Sequence, residues 1–230
     1  LRRQWKSRLP RVPPGRSQRA GPVSSSPRPA GGAWEDDGLQ EAAGGIRAGA
    51  RFGHSVALSA DGRTLAAGAP HESSIAPRSG AAYLFTHSSG SGWQAQAFLK
   101  PAQGGSDDLF GTRVALSASG RLLAVSAPQE RSATTGFDAA QNRPVSPPNA
   151  TFGAAYLFEP EGSGWRPSRF IKPTNLQAGM LFGQSLALSA DGESLAVGAP
   201  QENTRLGRIL GGAPPASAPQ TRWAGAVYLY

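Results

Sequence analysis

One sequence pattern occurs three times along this chain, and it constrains the fold more than any other feature. The copies at 51–70, 109–128 and 181–200 align without gaps as RFGHSVALSADGRTLAAGAP, LFGTRVALSASGRLLAVSAP and LFGQSLALSADGESLAVGAP. In each copy the final Pro follows the Phe by 18 residues. A chain that repeats one unit at a fixed spacing folds as an array of similar structural units, which stack to bury their apolar faces.

Two shorter blocks follow the first one in a fixed order. GAAYLF, GAAYLF and GAVYLY begin at Gly80, Gly153 and Gly225, and GSGWQAQAFLKP and GSGWRPSRFIKP begin at Gly90 and Gly162. Apolar residues alternate within the blocks, and Asp-Gly, Ser-Gly or Gly-Ser-Gly turns separate them, so each unit is predicted to form four short antiparallel strands. The predicted units are residues 51–101, 109–173 and 181–230, the last of which lacks its fourth strand.

The predicted fold class is all-β, with β-propeller blades of four antiparallel strands, because radial stacking protects the edges of such sheets. The chain contains about three blades' worth of strands if residues 34–43 form a lone fourth strand. That strand would then complete the last sheet. Propellers usually have about four to eight blades. We therefore expect either a fragment of a longer propeller or a three-blade half that self-associates to close.

The formal net charge of +8 is carried by the first part of the chain. Residues 1–33 contain eight basic side chains and no acidic one, and the remaining residues balance at 15 of each sign. The 1–33 segment is rich in Pro, Ser and Arg and poor in apolar residues, so it is predicted to be a disordered basic tail. It lacks the apolar core of a secretory signal. No nucleic-acid partner is predicted, because the basic residues are not on a folded surface.

The order Phe-Gly, Gly-Ala-Pro and GAxYLF resembles the FG-GAP repeat of integrin α-chain propellers, in particular its bacterial secreted variant. The resemblance extends over residues 34–230. It implies a secreted or cell-surface propeller whose function is binding or cell adhesion. No run of about 18 apolar residues occurs, so no transmembrane segment is predicted.

Metal binding and catalysis are not expected from the residues of the turns. In the resembled repeats, the turn between the first two strands can carry a DxDxDG calcium loop, whereas here it holds Asp61, Ser119 or Asp191, with at most one carboxylate each. Calcium takes about six to eight oxygen ligands, so these turns are interpreted as plain hairpin turns without metal or cofactor. The chain has no Cys, and no catalytic constellation recurs, so it is predicted not to be an enzyme.

Recognition is expected in the segments between the second and third strands, here called the inserts. They span 71–79, 129–152 and 201–224. Variable loops on a repeat frame usually project from one face and carry binding, although they can also simply cover blade edges. The candidate binding residues are Glu72, Glu130, Glu202, Phe137, Arg143, Arg205, Arg208 and Trp223. The three glutamates recur two residues after Pro, and both a structural role with backbone hydrogen bonds and a ligand role stay open.

The function expected from these features is a non-enzymatic extracellular or cell-surface module that binds a protein or a cell-surface polymer through one propeller face. Two alternatives stay open. The chain could be the non-catalytic propeller part of a larger secreted enzyme, or it could be a structural surface repeat.

Overall fold

The computed structural model of the chain describes residues 47–137, 150–203 and 223–230, together with two short strands that precede them. These strands are β1 (Val23–Ser24) and β2 (Leu39–Gln40). The regular secondary structure of the described residues is all β-strand, which confirms the predicted fold class.

The first sheet contains four antiparallel strands in chain order. They are β3 (Ser55–Leu58), β4 (Thr64–Ala69), β5 (Ala81–Ser88) and β6 (Gly92–Leu99). The alternating apolar residues therefore predicted these four strands correctly. Gly62 follows Asp61 with a φ of +68°, as the tight turn between β3 and β4 requires.

The second sheet repeats this arrangement and adds a fifth strand. In chain order its strands are β7 (Val114–Leu116), β8 (Leu123–Ala127), β9 (Gly136–Phe137), β10 (Ala154–Glu161) and β11 (Gly164–Lys172). The spatial order is β7-β8-β10-β11-β9. The sequence did not predict β9, which comes from the second insert and pairs with the outer edge of β11.

The third sheet has three described strands, β12 (Ser185–Leu188), β13 (Leu195–Ala199) and β14 (Ala226–Leu229). Residues 34–43 were predicted to complete it. The described part of that segment, β2, instead pairs with β1 in a separate two-stranded sheet. Pairing between segments close in sequence closes a shorter loop and costs less chain entropy than pairing with β14.

The predicted disordered tail at 1–33 lies outside the described residues except for Val23–Ser24. These two residues form β1, and the disorder of the tail stays a prediction. They pair with β2, as described above.

The three larger sheets stack with their first strands adjacent, since β7 contacts both β3 and β12. Phe110 is fully buried between the first two sheets, in a cluster that includes Leu84 of the first sheet and Tyr156 of the second. Phe182 has the corresponding position in the next interface, beside Ala155 and Tyr228. This arrangement is consistent with consecutive blades of a propeller.

The Phe of each Phe-Gly pair packs edge-on against the Tyr on the third strand of its own repeat. The ring centroids are 5.2 Å apart for Phe52 and Tyr83, 5.2 Å for Phe110 and Tyr156, and 5.3 Å for Phe182 and Tyr228. Edge-to-face packing at this distance is favourable beyond the burial of area alone. The same aromatic pair is therefore present in all three units, which explains why both motif positions are aromatic.

Backbone contact between neighbouring sheets explains the glycine at the start of each GAxYLF block. A Cβ atom on Gly80 would lie 2.0 Å from the carbonyl oxygen of Phe110, and one on Gly153 would lie 2.0 Å from that of Phe182. Both glycines form an isolated parallel bridge with that Phe. Because both also have φ near +90°, a side chain is excluded on two grounds. We call these two contacts the Phe-Gly junctions.

The opposite end of the sheets is joined by the turns themselves. The Ala60 amide donates to the Ala118 carbonyl at 2.9 Å, and the Ala118 amide donates to the Ala190 carbonyl at 2.8 Å. The backbone of this Ala in each turn therefore bonds to the backbone of the equivalent Ala in the next turn. Neighbouring sheets are connected at both ends, which fixes their relative positions.

Gly153→Ala is expected to lower the free energy of unfolding by about 3 kcal/mol or more, because the new Cβ would overlap the Phe182 carbonyl. Gly136 is a matched control, since its φ of +88° is nearly the same and no atom lies within 4 Å of its Cβ position. Gly136→Ala is expected to cost about 1–2 kcal/mol through backbone strain alone. Urea denaturation of both variants would measure the difference, and equal losses would contradict the junction.

Candidate functional site

The topology places all three inserts at one end of the sheets. They follow β4, β8 and β13, and strands alternate in direction within each sheet. The segments that lead into each Phe-Gly pair reach the same end, whereas the Asp-Gly turns lie at the opposite end. The predicted binding residues therefore belong to one end of the array, and of these Arg143, Arg205 and Arg208 lie outside the described residues.

Glu72 is the second residue of the first insert and is buried. Its Oε1 accepts a hydrogen bond from the Ser74 amide at 2.9 Å, and its Oε2 accepts one from the Ser74 hydroxyl at 3.0 Å. Lys100, which follows β6, forms an ion pair with the same carboxylate. The carboxylate therefore joins the start of the insert to the outer strand of the sheet.

Glu130 repeats this geometry in the second unit. Its oxygens accept bonds from the amide and the hydroxyl of Ser132, both at 2.9 Å, and Lys172 Nζ donates to Oε2 at 2.5 Å. Lys172 is fully buried and its Nζ lies 5.5 Å from the centre of the Phe152 ring. Burial lowers the pKa of Lys172, and the Glu130 carboxylate opposes that shift.

Glu202, near the start of the third insert, is likewise fully buried. Its Oε1 accepts bonds from the side-chain amides of Asn175 at 3.1 Å and Gln177 at 2.7 Å. Both donors follow β11, so this carboxylate joins the third insert to the second unit. The Tyr228 hydroxyl also donates to Asn175, at 2.6 Å.

The burial of the three glutamates favours the structural role over the ligand role. All of them are at most 3% exposed. The expected backbone hydrogen bonds are present at Glu72 and Glu130, where the donors are Ser74 and Ser132. A buried carboxylate bonded in this way fixes the path of the loop above it instead of presenting charge to a ligand.

The described part of each insert exposes a large apolar side chain. Phe137 is 52% exposed and Trp223 is 63% exposed. Phe137 also packs edge-on against Tyr230, with ring centroids 5.0 Å apart. Sequence reasoning missed Ile75, which is 55% exposed and is the single large aliphatic residue of the first insert.

The first insert is held against the segment that enters the second unit. Arg78 Nε lies 2.5 Å from Asp107 Oδ1, and the Asp107 amide donates to the Pro77 carbonyl at 2.8 Å. The Leu109 amide donates to the Arg78 carbonyl at 3.2 Å. The loop that carries Ile75 therefore has a defined position relative to the sheets.

A groove of about 340 Å³ lies between the segment that follows β6 and the strands β10 and β11. Tyr156, Phe158 and Phe170 line it, together with Gln103 and Arg169. Sequence analysis did not predict the groove, because its two walls are far apart in the chain and no motif marks their meeting.

The acidic turns at the other end have the hairpin role predicted for them. Asp61 Oδ1 accepts bonds from the Ser59 hydroxyl at 2.6 Å and the Arg63 amide at 3.0 Å, and Asp191 has the same two partners by position. The Ser hydroxyl is the largest cause of the lowered pKa of both carboxyls, and the backbone amide is the next. No group of three or more His, Asp or Glu within the described residues is placed to hold a metal ion.

The family model of the FG-GAP repeat matches residues 42–85. These residues are therefore similar to an FG-GAP repeat. The match covers the first Phe-Gly pair and strands β3 to β5 up to Phe85, and it confirms the resemblance drawn from the motifs. No curated protein matches the chain in sequence. Within the residues that the structure describes, no helix is long and apolar enough to cross a membrane.

Lys172→Met is expected to lower the free energy of unfolding by about 3–5 kcal/mol, because it leaves the buried Glu130 carboxylate without its cation. Adding Glu130→Gln should recover part of that loss, since the double variant buries no unpaired charge. The exposed pair of Arg166 and Glu159, at 3.3 Å, is the control, and Arg166→Met should cost about 1 kcal/mol or less. Urea denaturation measures the free energy of unfolding of each variant. If the loss in the double variant equalled the sum of the losses in Lys172→Met and Glu130→Gln, the pairing would be contradicted.

Asp191→Asn is expected to reduce the loss of stability in acid. A carboxyl whose pKa is lowered by folding stabilises the folded state above its unfolded pKa, and that contribution disappears as the pH falls through the folded value. Denaturation midpoints at pH 7 and pH 2.5 would therefore differ less for the variant than for the parent chain. Glu193→Gln removes a neighbouring charge without touching the Ser189–Asp191 bond. If this variant reduced the loss of stability in acid as much as Asp191→Asn does, the hydrogen bonds of the turn would not be its cause.

Proposed function

We propose that the chain is a non-enzymatic extracellular or cell-surface module that binds a protein or cell-surface polymer through its three inserts. The observation that carries the proposal is the contrast within each insert. A large apolar side chain, Ile75, Phe137 or Trp223, is more than half exposed, while the carboxylate at the base of the same insert is buried and bonded.

This arrangement lowers the entropic cost of binding. The buried glutamates fix where each insert leaves its sheet, so less freedom is lost when a ligand contacts the exposed side chains. Aromatic residues dominate the energetics of many binding interfaces. A rigid frame with exposed aromatic or aliphatic residues at one end is therefore suited to adhesion.

The extracellular location is supported by the FG-GAP repeat and its likeness to the integrin α-chain propeller. The proposal that the chain is not an enzyme is supported by the state of its buried charges. In the Glu72–Lys100 and Glu130–Lys172 pairs the charges are at most 9% exposed and bond to each other, which is typical of structural ion pairs.

Substitution of Ile75, Phe137 and Trp223 by Ser is expected to weaken retention on the cell surface, by about tenfold or more for the triple variant, because each loses an exposed apolar contact. Fluorescently labelled chain would be titrated onto cells of the organism that encodes it. Leu58→Ser is the matched control, since Leu58 is 54% exposed but lies on β3, away from the inserts. Its retention should equal that of the parent chain.

The class of ligand follows from two treatments of the same cells. Protease treatment abolishes retention if the ligand is a protein, and periodate oxidation abolishes it if the ligand is a polysaccharide. Equal retention of the triple variant and the parent chain would contradict binding through the inserts. Turnover of the ligand by the purified chain would contradict a purely binding role.

A further inference from the structure

Basic side chains meet where the first Phe-Gly pair leads into β3. The His54 amide donates to the Arg51 carbonyl at 3.1 Å, and the His71 amide donates to the Ala50 carbonyl at 3.1 Å. These bonds place His71, the first residue of the first insert, beside the segment that carries Arg51 and His54. Together with Arg113, these three residues are here called the basic cluster.

Arg113 reaches the cluster from the second unit. It directly precedes β7, as His54 directly precedes β3, and the Val114 amide donates to the Ser55 hydroxyl at 3.1 Å. The first strands of the two units therefore begin side by side. Arg113 is partly buried, and its Nη1 donates to the Thr112 carbonyl at 3.4 Å. A guanidinium group has five N–H donors, so most of those of Arg113 remain for another acceptor.

The two arginines of the cluster have no acidic partner in the part of the chain that the structure describes. Glu72, which follows His71, and Asp107, whose charge acts on His71, are each paired with another cation. Neither Arg51 nor Arg113 forms an ion pair within the described ranges. A partly buried cation is costly without a counter-charge, so this place favours an anion from outside the chain.

The positive charges of the cluster act on both histidines. Burial is the largest cause of the lowered pKa of His54, and Arg113 and Arg51 lower it further. Burial is also the largest cause of the lowered pKa of His71. The charged groups that face His71 are three basic ones and one acidic one, namely Arg51, Arg78, His54 and Asp107. An anion bound among these groups would raise both pKa values, because it favours the charged imidazoles.

The charge of the cluster indicates which anion fits it. Arg51 and Arg113 are permanently charged, and guanidinium groups bind tetrahedral oxyanions through paired hydrogen bonds. A phosphate ester carries about −1.5 to −2 charges at pH 7, which matches two arginines. A single carboxylate carries one charge and would leave one arginine uncompensated. The imidazoles of His54 and His71 each supply a further N–H donor.

We propose that the basic cluster binds a tetrahedral oxyanion, a sulfate or phosphate group. Arg51 and Arg113 supply the charge, and His54 and His71 donate hydrogen bonds that strengthen when the imidazoles are protonated. Such a group occurs as a free ion and as an ester on a surface polymer. The cluster contains none of the exposed apolar side chains of the inserts, so this proposal does not depend on the function proposed above.

Sodium sulfate is the probe, because its charge is constant over the pH range of interest. Calorimetric titration at constant ionic strength, set with sodium chloride, is expected to show one saturable site. Arg51→Gln and Arg113→Gln should each weaken sulfate binding by about tenfold or more, since each removes a charged donor. Arg121→Gln is the matched control, because Arg121 is exposed and lies in the turn at the opposite end of the second sheet. It should bind sulfate as the parent chain does.

The role of the histidines is tested by pH. Sulfate affinity is expected to rise by about threefold or more between pH 7.5 and pH 5.5, because the bound anion favours protonation of His54 and His71. The double variant with His54→Gln and His71→Gln should lose this rise and keep saturable binding at pH 7.5. In NMR titrations of the parent chain, sulfate should raise the pKa of both imidazoles.

Dextran sulfate and unmodified dextran distinguish the two sources of the oxyanion. Tighter binding of dextran sulfate than of free sulfate, counted per sulfate group and lost in Arg51→Gln, indicates an ester on a polymer. Equal affinity per group indicates a free ion.

Three results would each overturn the proposal. They are absence of sulfate binding at millimolar concentration, equal weakening by Arg121→Gln and Arg51→Gln, and imidazole pKa values that sulfate leaves unchanged. Loss of cell retention in the triple variant of the inserts is measured separately, so a failure of either proposal is distinguishable from a failure of the other.

Discussion

The backbone contact at the Phe-Gly junctions is the constraint on which the other interactions between sheets depend. The amides of Phe110 and Phe182 donate at 3.1 Å to carbonyls of the preceding unit, Ser79 and Phe152 respectively. Glycine on the facing strand lets the two backbones meet, and each Phe ring then fills the space between sheets. Without this close approach, the aromatic ring could not reach both its own Tyr and the small residues of the preceding sheet.

The buried glutamates fix the position of the inserts relative to the sheets. A carboxylate with a lysine on one side and a serine amide on the other connects the outer strand to the first residues of the loop. Leaving either group of such a pair alone in the interior would be costly, so the geometry is strongly specified. Variation can then occur farther along the insert while its base stays in place. This explains how inserts of different length begin in the same way in the first two units.

The fold could be predicted because its signals are local. Alternation around the Asp-Gly turns located β3 and β4, and the same residues located their counterparts in the other units. β9 could not be predicted, because two residues, Gly136 and Phe137, carry no periodic pattern and their pairing depends on β11. The pairing of β2 with β1 could not be predicted for a related reason, since two residues do not encode which strand edge they join.

The candidate site was predictable in position but less so in the role of each residue. Recurrence identified Glu72, Glu130 and Glu202, yet recurrence alone cannot distinguish a buried structural carboxylate from an exposed ligand. In the first two units the structural role follows from the lysine partners. Lys100 and Lys172 also recur in the sequence, far from the glutamates, and the fold brings each lysine to its carboxylate. Ile75 was missed because an isolated aliphatic residue in a short loop has no pattern, although it lies on the same end of the sheets as Phe137 and Trp223.

Native-state amide hydrogen exchange is the measurement that tests the central claim most directly. If the Phe-Gly junctions hold the sheets together, the amides of Phe110 and Phe182 exchange only through global unfolding, with the same free energy as the central strands β4 and β8. Exchange of these two amides through local opening, at a free energy well below that of β4 and β8, would contradict the account.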